Sequence, residues 1–250
     1  MSRRAALVLA LVLALVLAAC DAGRERGQRP SPRPSTPSPS PSSGSPSPSG
    51  SSSPSVPGSA ECTLVLGFSV TMNWFEGGGF EARPEISDDE WELIAEGGHD
   101  VWIWADPGIP AYARAPSSPC GREPDRVLFQ VAARGWRSRS AEDVAAALRT
   151  SIENIRATWP SATTIELIPV VGGPGAQPCE LASFGGRTVD ASGMNPAMTA
   201  VISGVADGER VVAGPDLLLD DCGQYLDGMG HLTPDGSRYI ASVLAEHYGA

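Results

Sequence analysis

The chain has no lysine; all 18 of its basic residues are arginines. They are outnumbered by 29 acidic residues, giving a net charge of −11. Six of the arginines lie before position 34, so the part beyond residue 60 carries about −15. Such a surface repels a polyanion, which argues against nucleic acid as a partner. The missing lysine is read as compositional bias. Histidine is scarce too: His99, His231 and His247 are scattered, and no C-x-x-C or H-x-x-x-H spacing occurs. No metal and no cofactor is therefore expected. The longest apolar run, Ala5 to Ala19, has fifteen residues, short of the ~20 that span a bilayer comfortably.

That run follows Arg3 and Arg4 and ends at Cys20, the pattern of an export signal. Leu17-Ala18-Ala19-Cys20 looks like a bacterial lipobox, which implies cleavage before Cys20 and lipid on its sulfur. The alternative is an ordinary secretory signal with a coincidental cysteine. The expected location is the outer face of a bacterial cell membrane, held by the two-chain anchor that stable attachment needs. Residues 20–60 are mostly proline and serine without apolar period. They cannot bury enough surface to offset their ordering entropy and read as a disordered tether. At ~3.1 Å per residue, about 40 such residues reach at most on the order of 120 Å.

Residues 61–250 have the size of one domain with a full core. The four cysteines left after Cys20 are Cys62, Cys120, Cys179 and Cys222. In an exported chain an even number favours two disulfides. Short Val/Ile/Leu-rich runs at Cys62–Leu66, Asp100–Trp104, Arg126–Ala132, Thr164–Val170 and Arg210–Ala213 read as buried parallel strands. Helices are expected between them. One is opened by the Ser87/Glu90 capping-box spacing and closed by Gly97-Gly98. A long one follows Ser140, with Val144, Leu148, Ile152, Ile155 and Trp159 as its core stripe. Another begins near Asn195-Pro196, and the last runs from Pro234 toward His247 with Thr233 as N-cap. The expected fold is α/β, a doubly wound, flavodoxin-like, five-stranded parallel sheet with helices on both faces.

Two segments carry chemistry. The first strand delivers Gly67-Phe68-Ser69-Val70-Thr71, and Asp227-Gly228-Met229-Gly230-His231 leads into the last helix. A strand-end serine followed much later by an Asp/His pair has the parts and chain order of a serine hydrolase. Sites of open parallel sheets collect outside the carboxyl ends of the strands, where these segments would meet. His231 stands at the mouth of the final helix, whose positive dipole end disfavours imidazolium and keeps the ring a proton acceptor.

From Cys62 to Tyr248 the chain resembles the SGNH (GDSL-type) hydrolases, whose first block is a Gly-Asp-Ser-x-Thr-like turn and whose last is Asp-x-x-His. Ala105-Asp106-Pro107-Gly108-Ile109 and Ala132-Ala133-Arg134-Gly135-Trp136 are placed at the two central blocks. The resemblance implies Ser69 as nucleophile, His231 as base and Asp227 as its orienting carboxylate. The gap between the last two is four residues where the family has three, so either the turn bulges or Asp221 takes the role. It implies an oxyanion hole from the N–H groups of Ser69 and Gly108, with Arg134 where the family has asparagine. Arg134 either reaches an oxyanion or a substrate carboxylate, or pairs with Asp106 and points away. Phe68 replaces the family's first-block aspartate. Trp74, Phe75 and Trp136 flank the site as a candidate acyl or sugar wall, and as candidate core. The fold would pair Cys62 with Cys120 and Cys179 with Cys222.

The activity implied is a membrane-tethered, monomeric serine esterase removing an O-acyl group, such as acetyl, from a carbohydrate, lipid or small ester. The competing implication is a catalytically silent domain that binds acylated glycans or a protein partner, because fold does not guarantee activity.

Overall fold

The computed structural model describes residues 60, 62–83, 86, 91–113 and 121–249. The leader, Cys20, the Pro/Ser-rich tether and Cys120 lie outside them. Three strands are almost wholly buried: β1 (Thr63–Gly67), β3 (Arg126–Val131) and β4 (Thr164–Pro169). Strands covered on both faces favour near-continuous apolar runs, and these are mostly Val, Ile, Leu and Phe, with Arg126, Gln130 and Glu166 as buried polar exceptions. Two shorter or half-exposed strands, β2 (Trp91–Ala95) and β5 (Val211–Ala213), take the edges. All pair in parallel in the order β2-β1-β3-β4-β5. This flavodoxin-like order reverses direction beside β1, which opens a crevice at the carboxyl ends of β1 and β3.

The second strand is not where the sequence places it. Val101–Trp104 is a helical turn, whereas Trp91–Ala95, expected to be helical, is β2. Asp100 decides the first case. Its carboxylate accepts the Trp102 N–H at 3.2 Å, capping a helical turn that buries Val101 and Trp104 on one side. β2 shows only part of its surface to the core, so its polar and apolar residues mimic a helical pattern.

Three long helices cover the sheet. α1 (Ala141–Thr158) begins with a capping box: Ser140 Oγ accepts the Asp143 N–H at 3.0 Å, and Asp143 accepts the Ser140 N–H at 3.1 Å. Its stripe Val144, Leu148, Ile152 and Ile155 is buried, as is Trp159. Each such side chain contributes roughly 1.5–3 kcal/mol over leaving it in water. α2 (Asp190–Val205) starts five residues before Asn195 and carries Pro196 inside it. Buried Asn195 donates to the Val170 carbonyl at 2.7 Å and to Asp216 at 2.9 Å, anchoring the helix where the proline weakens it. α3 (Pro234–Tyr248) is N-capped by Thr233, whose Oγ1 accepts the Gly236 N–H at 3.1 Å. α1 packs on α2, while α3 packs on a π-helical turn at Asn73–Gly77. Cys179 and Cys222 form a disulfide. Cys62 is also disulfide-bonded, with a partner outside the described residues.

Candidate active site

β1 ends at Gly67, where a Cβ would lie 1.9 Å from Thr71 Oγ1. Only glycine admits so close an approach. Thr71 Oγ1 accepts the Phe68 N–H at 3.0 Å and donates to buried Gln130 at 2.6 Å. This latch starts the helical turn Ser69–Met72 directly from the strand and puts Ser69 at its first position. An N–H at that position has no intrahelical acceptor.

At the other end of the chain, Asp227 organises its own loop. Oδ1 accepts the N–H groups of Met229 at 3.0 Å, Gly230 at 3.1 Å and His231 at 3.1 Å. Oδ2 meets His231 Nδ1 at 2.6 Å. The extra residue between Asp and His is absorbed at Gly230, which takes φ +97°. Asp221 is not the orienting group: its Oδ1 accepts the Gly223 N–H at 2.6 Å and caps the turn Cys222–Gln224.

His231 Nε2 lies 2.8 Å from Ser69 Oγ, across 162 residues of chain. A carboxylate at Nδ1 keeps the proton there and leaves Nε2 as the acceptor. Burial pushes the Asp227 carboxyl upward, but the His231 ring and the His231 and Met229 N–H groups outweigh it and hold it below the usual carboxylate range. Serine, imidazole and carboxylate thus form one continuous relay, geometrically able to draw the proton from a nucleophilic hydroxyl.

The relay opens on a cavity of about 590 Å³. Phe68, Ser69 and Val70 enter it after β1, Gly97 and Gly98 after β2, Ala132 and Arg134 after β3, and Val170 after β4. Four strand ends therefore converge at the topological switch point. The start of α2 and the His231 loop complete the cavity.

Several expected site residues fall elsewhere. Gly108 is not part of this cavity, and its N–H is taken by Asp106 Oδ1 at 2.8 Å. The displaced strand explains it: the loop after β2 is 96–100, so the glycines at the rim are Gly97 and Gly98, read from sequence as a helix stop. Trp74 and Phe75 are core, fully or almost fully buried against Phe80, with Trp74 Nε1 donating to Gln130 at 3.1 Å. Trp136 does line the cavity. Arg134 lines it as well and pairs with Asp100, not Asp106.

Sequence reasoning missed Asp100, Gln130 and Asn73. The first two are polar residues inside or beside apolar runs, a signal of buried hydrogen bonding that was available. Among the described residues no group of three or more His, Cys, Asp or Glu is placed to hold a metal ion. None of the described helices is long and apolar enough to cross a membrane.

No family model matches the chain, and no curated protein matches it. Several solved structures are similar. One is a Slackia heliotrinireducens protein provisionally named an SGNH hydrolase, 19% identical with TM-score 0.48 over 75% of this chain and 98% of that one. Another is a carbohydrate esterase family 3 protein from Talaromyces cellulolyticus, 15% identical with TM-score 0.43 over 74% and 95%. A third is the periplasmic domain of a lipopolysaccharide acetyltransferase from Salmonella Paratyphi A, 15% identical with TM-score 0.44 over 76% and 84%. At this distance the likeness concerns the fold alone.

Proposed function

We propose that this chain is a divergent SGNH-type serine esterase that removes an O-acyl group from a carbohydrate, lipid or small ester. The observation that carries the reading is the relay Ser69 Oγ–His231 Nε2 at 2.8 Å and His231 Nδ1–Asp227 Oδ2 at 2.6 Å. Ser69 Oγ attacks the acyl carbonyl as Nε2 takes its proton, and Asp227 stabilises the imidazolium that forms. The oxyanion is met by the N–H of Ser69 and a backbone N–H of the Gly97-Gly98 turn. Collapse expels the alcohol, which takes the proton from His231. Water activated by the same imidazole then attacks the acyl carbonyl and frees Ser69. Buried Val170, Ala191 and Met194 offer the acyl group an apolar wall.

The test is labelling by a fluorophosphonate and turnover of a short-chain p-nitrophenyl ester, beside Ser69→Ala and His231→Ala. Both signals are expected in the wild type and absent in both variants. A folded wild type that neither labels nor turns over ester would overturn the esterase and favour a silent binding domain. Lipid attachment at Cys20 is part of the proposal and has its own check. Labelled fatty acid should be incorporated by the wild type and not by Cys20→Ala, and an unlabelled wild type refutes the anchor.

A further inference from the structure

Resting on that reading, we propose that the ester hydrolysed here carries an anionic group beside the scissile bond, recognised by Arg134 and Arg137. Burial sorts the cavity into two parts. Phe68, Val70, Ala132, Val170, Ala191 and Met194 are all buried, whereas the Arg134 and Arg137 side chains are 67% and 53% exposed. An apolar interior takes the acyl chain, and two guanidinium groups stand at the mouth, where the alcohol portion must lie.

The arginines are held for that task. Asp100 is 5% exposed and spends one oxygen on both the backbone N–H and Nε of Arg134, each at 3.1 Å. A buried carboxylate is costly unless fully bonded, and here it fixes the base of the guanidinium while the terminal amino groups remain on the open side. They pass beside Gly98, where a Cβ would lie 3.4 Å from Arg134 Nη1. Arg137 stacks on the Trp136 ring at 4.9 Å and gives one Nη to Asp190 at 2.7 Å. That pair is exposed, with Asp190 at 63%. Exposed pairs bind weakly, so an incoming anion can share or displace it.

Charge distribution argues the same way. On a chain of net charge −11, Arg134 and Arg137 stand three positions apart at this mouth. The planar fork of arginine matches carboxylate and phosphate oxygens in pairs. A neutral acetyl sugar would leave this device unused.

The full-length protein is assayed with phenyl butyrate, 4-(butyryloxy)benzoate and 4-(butyryloxy)phenyl phosphate, which differ in charge at the leaving alcohol. The anionic esters should show kcat/KM about 10- to 100-fold above the neutral one, the range of a charge-assisted hydrogen bond. Whichever of carboxylate and phosphate is preferred names the source of the anion. Arg137→Gln should lower kcat/KM for the anionic esters about tenfold and leave phenyl butyrate within roughly twofold. Equal kcat/KM for the three esters, or an unchanged ratio in Arg137→Gln, overturns this inference while phenyl butyrate turnover keeps the esterase reading intact. If no ester is turned over, the esterase reading falls, and calorimetry on Ser69→Ala decides the inference. Binding of 4-hydroxybenzoate or 4-hydroxyphenyl phosphate that exceeds phenol and is lost with Arg137→Gln upholds it, and anion binding no tighter than phenol overturns it.

Discussion

Asn73 Oδ1 accepts the Leu232 N–H at 3.0 Å, joining the turn that carries Ser69 to the residue after His231. The two halves of the relay come from opposite ends of the chain, and this is a direct bond between their backbones' immediate surroundings. Asn73→Ala leaves a half-buried N–H without its partner, at a cost of about 1–3 kcal/mol. Displacing the imidazole by a fraction of an ångström should lower kcat about 10- to 100-fold. Asn73→Asp keeps an acceptor and should retain most activity. Measuring kcat and Tm for both separates positioning from folding: an alanine variant with wild-type kcat would show that the bond does not set the relay.

The spacing of the Asp/His pair gives the second prediction. Gly230 sits at φ +97°, and a Cβ there would lie 2.3 Å from that of Ala191. Gly230→Ala therefore strains the backbone and collides with the start of α2, costing roughly 1–3 kcal/mol. Because the loop cannot hold His231 over Ser69 without this bend, activity should fall further than stability does. An alanine variant with normal turnover would mean that the loop reaches the same geometry by another path.

How much of this was legible depends on whether a residue's role was local. The meeting of Ser69, His231 and Asp227 could be read because strand-end and helix-entry positions announce themselves through turn chemistry and order along the chain. β1, β3 and β4 were legible because buried parallel strands are mostly apolar, and β5 because its short run Val211-Val212-Ala213 is wholly apolar. β2 was not, since an edge strand exposes one side, and Asp100 capping a Val-Trp-Ile-Trp turn depends on where Arg134 comes to lie. One misplaced strand put Gly108 at the expected rim, where the structure has Gly97 and Gly98. Trp74 and Phe75 lie within six residues of Ser69, but a π-helical turn points them into the core. Proximity in sequence did not carry proximity in space.

Asp227 supplies a prediction in pH. Its folded-state carboxyl lies below the ordinary value, despite burial, because of hydrogen bonds from His231 and the loop N–H groups. A depressed carboxyl stabilises the fold above its unfolded value, and that contribution is lost as pH falls through the folded one. The Tm difference between wild type and Asp227→Asn should thus be largest near neutrality and shrink as the solution becomes acid. Turnover of the asparagine variant should fall on the order of 10³- to 10⁴-fold, since the amide no longer selects the Nδ1-protonated ring. A constant Tm difference across the range would show that the carboxylate's charge is not what the loop uses.

The disulfide Cys179–Cys222 bridges 43 residues and ties two loops that both frame the relay. Cys179 N–H donates to Ser192 Oγ at 2.9 Å in the first turn of α2, and Asp190 N–H donates to the Gly228 carbonyl at 2.9 Å in the Asp227 loop. Tyr225 Oη adds a bond to the Val171 carbonyl at 2.8 Å after β4. Cutting the bridge should free the loop that presents Asp227 and His231 before it unfolds the sheet. Cys179→Ser with Cys222→Ser should cost about 2–4 kcal/mol of stability. Its turnover should fall at temperatures where circular dichroism still reports a native fold. The double variant is preferred to a reductant because Cys62 is disulfide-bonded as well. If activity and structure are lost together at one temperature, the bridge supports the whole domain and has no separate hold on the relay.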